Sequence, residues 1–256
     1  MDMETAEDLE IAEIEGSVEI GRIRERYARR AVEGLALDKG RYRALNPDVY
    51  LSWQEKVRGI IRCLRQYGIA PVAQRTVLEV GCGHGSDLLE LIRLGFQPEN
   101  LVGVDLMEDH VKVARLRLPV NVRLFVGDAS QVVLPGESFD VVYQSTVFTS
   151  ILDFNLQQRL AARMWGLAKS GGGILWYDFA YDNPRNPDVK GVTLARIRSL
   201  FPEGRIKCWR LRLAPPISRM VTLIHPTLYT LFNAVPVLRT HLLCWIQKAR
   251  HDVPCS

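Results

Sequence analysis

The stretch Val77-Leu-Glu-Val-Gly-Cys-Gly-His-Gly85 decides the fold, because an apolar strand runs through an acidic residue into three alternating glycines. A side chain at those glycines would block the close approach of a ligand to the backbone or forbid a tight turn from strand to helix. A second strand, Leu101 to Asp105, ends in a carboxylate roughly 20 residues past the glycines, where α/β nucleotide sites place an acid on a ribose hydroxyl pair. The sequence therefore predicts a site for a ribose-bearing cofactor.

The spacing of the glycines distinguishes two classes of cofactor. A dinucleotide fingerprint reads G-x-G-x-x-G, whereas this turn reads G-x-G-x-G and has Ser86 at the position of the last glycine. Glu79 lies two residues before Gly81, where its charge would repel a pyrophosphate but suits a cation such as the ammonium of S-adenosylmethionine. The pattern favours the sulfonium cofactor over NAD. For Asp105 taken alone, an N-cap of the helix from Met107 to Leu118 is an alternative.

Three further motifs follow in order along the chain. They are Gly127-Asp-Ala129 after a predicted strand, Ser138-Phe-Asp-Val-Val-Tyr-Gln144 as a fourth strand, and Lys169-Ser-Gly-Gly-Gly-Ile-Leu-Trp-Tyr-Asp178 as a turn and fifth strand. With the glycine turn, this order resembles the class I S-adenosylmethionine-dependent methyltransferases of the bacterial type 11-like kind, over roughly residues 75 to 180.

The resemblance implies S-adenosyl-L-methionine as the cofactor and assigns residues to it. Asp128 looks like the adenine-contacting acid of that family. The predicted cofactor contacts are Glu79, Gly81, Cys82, Gly83, Gly85, Asp105, Leu106, Asp128, Ala129 and Gln144.

The alternation of strands and helices predicts the architecture. Between Val77 and Asp178 it is typical of a parallel sheet covered by helices on both faces, and two last strands are predicted at Arg205 to Leu213 and Thr240 to Lys248. The predicted fold is α/β, with a Rossmann-like seven-stranded sheet that is mostly parallel with its last strand antiparallel, helices on both faces, and helical cap segments.

The predicted domain organisation has three parts. Residues 1–19 form an acidic, flexible N-terminus, residues 20–70 a helical N-terminal cap, and residues 71–256 the methyltransferase core, with insertion 214–239 as a second cap. Since both caps are too apolar to be solvated tails, we expect them to cover the carboxyl edge of the sheet and close the acceptor pocket. Packing on the outer helices or a homodimer interface is the competing prediction.

Side chains after the fourth and fifth strands are the candidates for acceptor chemistry, because ligands of open α/β sheets bind at the carboxyl ends of the strands. The predicted substrate contacts are Tyr143, Thr146, Thr149, Tyr177, Tyr181 and Asn183, with Tyr42 and Trp53 from the first cap. The candidate general bases are Asp178, His225 and His241.

The predicted activity is methyl transfer to a small-molecule or saccharide acceptor, at oxygen, in natural-product or polysaccharide biosynthesis. Nucleic acid is disfavoured as the acceptor, because Gln144-Ser-Thr-Val-Phe148 stands where amine methyltransferases of bases carry Asn/Asp-Pro-Pro-aromatic. Three alternatives stay open: N-methylation of a small metabolite, methylation of a lipid-linked acceptor at a membrane surface through Ile217 to Leu238, and cofactor binding without catalysis.

Composition narrows the remaining classes. The five cysteines of this 256-residue chain form no C-x-x-C pair and no His/Cys cluster. Their spacing predicts neither a zinc site nor a disulfide framework and makes the cytoplasm the expected compartment. The apolar run Ile217 to Leu238 is interrupted by Arg219 and prolines, so we expect no transmembrane segment. From Lys190 onward, 11 Lys and Arg residues stand against two acids, although the net charge is only +4.

Overall fold

The computed structural model describes residues 18–30, 44–184 and 186–250. Its helices are α1 (residues 18–30), α2 (Pro47–Gln66), α3 (Ser86–Arg93), α4 (Glu108–Arg117), α5 (Phe154–Leu167), α6 (Leu194–Leu200), α7 (Pro215–Ile224) and α8 (Thr227–Asn233). Its strands are β1 (Val77–Val80), β2 (Leu101–Asp105), β3 (Arg123–Val126), β4 (Phe139–Ser145), β5 (Ala168–Phe179), β6 (Arg205–Leu213) and β7 (Arg239–Gln247). Tyr42 and most of the acidic segment 1–19 lie outside the described residues.

One seven-stranded sheet organises the molecule, in the order β3-β2-β1-β4-β5-β7-β6. Strands β1 to β5 are parallel, and β7 runs antiparallel to both of its neighbours, β5 and β6. The predicted fold class is therefore confirmed. The strand order reverses between β1 and β4, and this is the position at which open α/β sheets bind ligands beyond the carboxyl ends of their strands.

Most strand boundaries agree with the sequence pattern, and β5 is the largest difference. The structure extends β5 from Ala168 to Phe179, whereas the apolar pattern predicts only Gly173 to Asp178. The added residues pair near the start of β4, where Phe139 lies opposite Ala168 and the register then shifts before Val141. The irregular, glycine-rich start of the strand has no alternation of apolar side chains and therefore gives no strand signal.

Apolar residues of alternating strand positions form a core on each face of the sheet. On one face Leu78, Val102 and Trp176 pack in a cluster with side chains of α1, α5 and α6. On the other face Val77 and Trp245 pack in a cluster with side chains of α2, α3 and α4. Neighbouring residues of a strand thus point to opposite faces of the sheet. The face to which a polar side chain points therefore decides whether it can reach a ligand at the carboxyl edge.

Insertion 214–239 holds helices α7 and α8 and connects β6 to β7. The two helices pack against each other, α7 contacts α2, and α8 contacts β6. Because β6 runs parallel to β5, this insertion leaves the sheet at the same edge as the carboxyl ends of the first five strands.

A disulfide joins Cys208 of β6 to Cys244 of β7, a bond that the cysteine spacing did not suggest. The two cysteines are 36 residues apart in sequence, yet the antiparallel register places them directly opposite each other. No local spacing signals such a pair, because it depends on strand pairing. The other two described cysteines, Cys63 and Cys82, are buried free thiols.

Two absences hold for residues 18–30, 44–184 and 186–250. No helix there combines the length and apolar character needed to cross a bilayer. No group of three or more His, Cys, Asp or Glu side chains is arranged to hold a metal ion.

Candidate functional site

A cavity of about 260 Å³ opens at the carboxyl edge of the sheet, where the strand order reverses. Its floor comes from the ends of β1, β2, β3 and β4, and α1 and α5 supply apolar walls. Its lining includes Gly81, Gly83, Asp105, Leu106, Met107, Asp128, Ala129, Ser145, Thr146 and Val147 from the strand ends and the loops after them, and Ile20, Ile23, Tyr27, His110, Leu156 and Leu160 from helices.

The glycines of the turn have different physical roles. Gly81 has φ +70°, and a Cβ there would collide with Cγ2 of Val147. Gly83 has φ +52°, but a Cβ there would meet no protein atom within 4 Å. Protein packing therefore requires glycine at position 81, whereas at position 83 the space next to the backbone is open and belongs to the cavity. Gly85 lies at the start of α3 and is not among the residues that line the cavity.

Asp105 connects the glycine turn to α4. Its Oδ2 accepts a hydrogen bond from the Gly83 amide at 2.8 Å, and its Oδ1 accepts one from the Met107 amide at 2.9 Å. The ring Nδ1 of His110 lies 3.1 Å from Oδ1. The carboxylate thus shapes the glycine turn and the approach to α4. The N-cap residue of that helix is Met107, and among the described residues no side chain makes a capping hydrogen bond there, so the alternative prediction of Asp105 as the N-cap is wrong. Since a carboxylate offers about four acceptor positions, Oδ2 retains capacity for a ligand hydroxyl.

Asp128 follows β3 and orders the loop at the far side of the cavity. Its two carboxylate oxygens accept hydrogen bonds of 2.8 Å from the amide and the hydroxyl of Ser130. Asp128 and Ala129 both line the cavity, as does Leu106. Three loops that follow parallel strands therefore meet around one space, as the sequence pattern predicts.

Helix α1 forms one wall of the cavity. Glu19 accepts hydrogen bonds from the Leu152 amide at 3.0 Å and from Arg26 at 2.7 Å. Arg26 also donates to the Ser150 carbonyl at 3.0 Å. These bonds hold the helix so that Ile20, Ile23 and Tyr27 face the cavity.

A buried charged cluster lies behind the cavity wall, and the sequence analysis did not predict it. Lys56 of α2 donates to Asp87 Oδ2 at 2.5 Å and to Ser145 Oγ at 2.9 Å, and Tyr143 donates to the same Asp87 oxygen at 2.9 Å. Ser145 lines the cavity, so the cluster reaches the site through it. The available signal was Lys56 itself, a cation on the apolar face of α2.

Burial and charge act in opposite directions on the two acids of this cluster. Burial raises the pKa of Glu79 well above its usual range, and the nearby Asp87 carboxylate raises it further. Burial alone would also raise the pKa of Asp87, but the Lys56 ammonium and the hydroxyls of Tyr143 and Ser145 hold it below its usual value. Glu79 Oε2 has no hydrogen-bond partner among the described residues.

Asp178, a predicted general base, does not line the cavity. It is fully buried, and its Oδ1 accepts hydrogen bonds from the Thr149 hydroxyl at 2.7 Å and from the Phe179 amide at 3.0 Å. Burial raises the pKa of Asp178 to about 7. The hydrogen bond between Thr149 and Asp178 links the end of β5 to the loop after β4. Gln144 is also buried, and its Oε1 accepts from the Val147 amide at 3.1 Å in the same loop.

His241, another predicted base, is buried between Tyr177 and Arg212. Its ring stacks on Tyr177 at 5.2 Å between centroids, and its Nε2 lies 3.4 Å from the Arg212 guanidinium. Burial lowers the pKa of His241 well below its usual value, and the charges of Arg212 and Lys56 lower it further.

The remaining predicted contacts lie away from the cavity, with one exception. Thr146 lines it and has φ +60°, an uncommon conformation for a residue with a Cβ, at the end of β4. His225 is exposed between α7 and α8, where its Nδ1 accepts from the Thr227 amide. The others that line no part of the cavity are Cys82 in the core, Trp53 against Tyr50, Tyr181 bonded to Arg210, and Asn183 in an exposed loop.

Comparison with known proteins agrees with this arrangement. Residues 77–172 match the model of a methyltransferase domain family. The chain is 40% identical over 74 residues to a fatty-acid O-methyltransferase from Mycolicibacterium smegmatis. This aligned segment covers 28% of this chain and 27% of that protein. It is 30% identical over 132 residues to the tRNA N(3)-cytidine methyltransferase METTL2 of Gallus gallus, over 48% of this chain and 35% of that protein.

The chain spans only about a quarter to a third of the length of these two relatives. Among solved structures, a TehB-like S-adenosylmethionine-dependent methyltransferase from Corynebacterium glutamicum superimposes with a TM-score of 0.54 at 17% identity, over 88% of this chain and 97% of that chain. At this identity the likeness concerns the fold.

Proposed function

Because the chain belongs to the class I S-adenosylmethionine-dependent methyltransferase family, whose members are enzymes that use S-adenosyl-L-methionine, we propose that it methylates a small-molecule or saccharide acceptor at oxygen. The observation that carries this proposal is the cavity at the reversal of strand order, around which the glycine turn, Asp105 and Asp128 meet. The proposed compartment is the cytoplasm, as the cysteine spacing predicts. The buried thiols of Cys63 and Cys82 agree with it, whereas the Cys208–Cys244 disulfide is a bond more typical of an oxidising compartment.

The residues of the cavity fit this cofactor. The open space next to Gly83 lets a ligand approach the backbone, and Asp105 Oδ2 can accept a further hydrogen bond from a ribose hydroxyl. We assign Asp128 and Ala129 to the adenine, and Gly81 and Gly83 to the methionine portion. When bound, the sulfonium supplies an activated methyl group, so the protein needs no covalent step of its own.

The chain's own contribution is to orient the acceptor and to exclude water. Ile20 and Ile23 of α1 and Leu156 and Leu160 of α5 provide an apolar wall, from which water gains few hydrogen bonds. Correct alignment alone accounts for about 7–11 kcal/mol of barrier reduction in well-oriented reactions. This route does not require Asp178, His225 or His241 to reach the acceptor.

Transfer to oxygen is favoured by the similarity to a fatty-acid O-methyltransferase, although it covers 28% of the chain. The apolar character of the cavity wall is compatible with an acceptor that has an apolar portion as well as a hydroxyl or carboxyl group. The similarity to a tRNA methyltransferase keeps nitrogen as the second candidate atom, and RNA as the second acceptor class.

The proposal is tested by incubating the purified full chain with methyl-labelled S-adenosylmethionine and a panel of hydroxylated metabolites, saccharides, fatty acids, amines and tRNA. Mass spectrometry then identifies any product heavier by one methyl group, and fragmentation locates that group on oxygen or nitrogen. A product labelled only on nitrogen would refute the proposed atom. Saturable binding of S-adenosylhomocysteine without any product across the panel would favour a cofactor-binding protein that is not a catalyst.

A further inference from the structure

The hairpin of helices α7 and α8 carries apolar side chains on both its buried and its exposed sides. Toward the protein, Val221 and Tyr229 pack in a small apolar cluster with Leu213 of β6. In α7 the buried positions include Ser218 and Thr222, whose hydroxyls donate to backbone carbonyls of the same helix. At the end of α8, the Asn233 side chain turns inward, and its Nδ2 donates to Glu55 Oε1 at 2.8 Å. The outward side is apolar as well, although it faces solvent. Its most exposed members, here called the apolar patch, are Met220, Leu223, Ile224, Leu231, Val235 and Val237.

The exposure of the apolar patch is larger than single surface hydrophobics explain. Leu223 is 88% and Ile224 75% exposed, and both belong to one short segment. Scattered apolar residues are normal on a protein surface, whereas a contiguous group marks a site that is covered in use. The partner must therefore be able to bury aliphatic side chains.

Charge distinguishes the candidate partners. Residues 214–239 contain no Asp or Glu, and the patch lies between Arg219 and Arg239. In a symmetric dimer through this surface, each copy would bring the same cations to the contact, with no acid of the insertion to pair with them. Arg239 already donates to the Asn233 and Arg210 carbonyls, but these neutral acceptors do not balance its charge. An anionic surface with an apolar interior suits both cations and the patch.

We propose that the apolar patch docks onto the surface of an anionic phospholipid bilayer. The two short helices would lie in the interface, with aliphatic side chains among the acyl chains and the arginines at the level of the phosphates. The insertion leaves the sheet at its carboxyl edge, which also carries the cofactor cavity, so the membrane contact and the cavity would face the same side of the molecule.

Co-sedimentation of the full chain with vesicles tests this inference, and it needs no catalytic activity. One set of vesicles is made of phosphatidylcholine alone, and the other of equal parts of phosphatidylcholine and phosphatidylglycerol. We expect the chain to sediment with the second set, and binding to fall at about 0.5 M NaCl, at which charges are screened within a few ångströms. Failure to bind anionic vesicles would overturn the proposal.

The variant Leu223→Glu/Ile224→Glu should reduce vesicle binding by about tenfold or more, since one apolar side chain transferred from water already accounts for about that factor. The matched control is Leu116→Glu on α4, which is equally exposed at 88% but lies outside the insertion, and it should bind as the wild type does. Light scattering supplies the competing outcome. If the wild type is a dimer that the double variant converts to a monomer, with vesicle binding unchanged, the patch is an interface between two copies and the proposal is wrong.

Discussion

Replacing Gly83 by alanine tests the assignment of the cofactor to the cavity. Because a Cβ at this position meets no protein atom within 4 Å, the added methyl group would occupy cavity space alone. If the methionine portion of the cofactor fills that space, the methyl group overpacks the complex at a cost of about 1–3 kcal/mol. The expected loss of affinity for S-adenosylhomocysteine is therefore roughly 5- to 150-fold.

Gly68→Ala is the matched control for backbone strain. Gly68 has φ +68°, a Cβ there also meets nothing within 4 Å, and the residue follows α2 outside the cavity. Either substitution places a side chain in the left-handed region, which costs about 1–2 kcal/mol of unfolding free energy. We expect both variants to lose similar stability, and only Gly83→Ala to lose affinity.

Urea unfolding measures the first quantity, and titration calorimetry with S-adenosylhomocysteine measures the second. The comparison separates a lost ligand contact from a strained turn, because strain is common to the two variants. If Gly83→Ala binds the ligand as tightly as Gly68→Ala does, the space beside Gly83 is not part of the binding site and the assignment fails.

Four single substitutions test the roles of individual charged side chains. Asp105→Asn should weaken S-adenosylhomocysteine binding by roughly tenfold or more in calorimetry, since it replaces a charged acceptor that shapes the glycine turn; unchanged affinity would remove Asp105 from the site. Lys56→Met should cost about 3–5 kcal/mol of unfolding free energy, because it removes the cation from a largely buried Asp87 carboxylate and leaves it only neutral donors such as Tyr143. Exposed Arg58→Met should change it by less than about 0.5 kcal/mol, and equal effects would contradict the buried pair. Burial opposes ionisation of Asp140, but hydrogen bonds and charge from its partners lower its pKa to about 2. The stability that its carboxylate contributes is therefore present above about pH 4 and is lost as the pH falls toward 2. The loss of unfolding free energy caused by Asp140→Asn, measured with urea, should shrink over that range. Asp178 shows the opposite pH dependence, because burial raises its pKa to about 7. The stability from its bound proton is complete below about pH 4 and is lost as the pH rises through 7. If the stability of the wild type does not fall relative to that of Asp178→Asn between about pH 4 and 7, the raised pKa is refuted.

The sequence predicts those strands of the fold in which the local pattern of apolar residues is strong. Val77 to Val80, Leu101 to Asp105 and Arg205 to Leu213 form strands with the predicted boundaries, because each is a short apolar or alternating run bounded by turn residues. The glycine turn and the acid after the second strand also meet as expected, since parallel strands bring their carboxyl ends to one edge.

The remaining parts of the site depend on contacts between distant residues. Lys56 reaches Asp87 and Ser145, which are 31 and 89 positions further along the chain, and no local pattern encodes that meeting. For a polar residue at the end of a strand, the sequence predicts the edge of the sheet at which the residue lies. It does not predict which side chains surround it there. Tyr177 and Asp178 both end β5, yet one stacks on His241 and the other bonds Thr149, and neither reaches the cavity.

The position of β7 between β5 and β6 has a consequence for folding. The chain makes β6 before β7, but within the described sheet β6 pairs with β7 alone, so it must wait for residues 239–247 before it can join. Until then the outer edge of β5 has no neighbour, and an unpaired edge is a template for association with other chains. A nascent chain can therefore complete β1 to β5 around the cavity first, and it remains exposed to aggregation on the β5 side until the strand made last is inserted between the two made earlier.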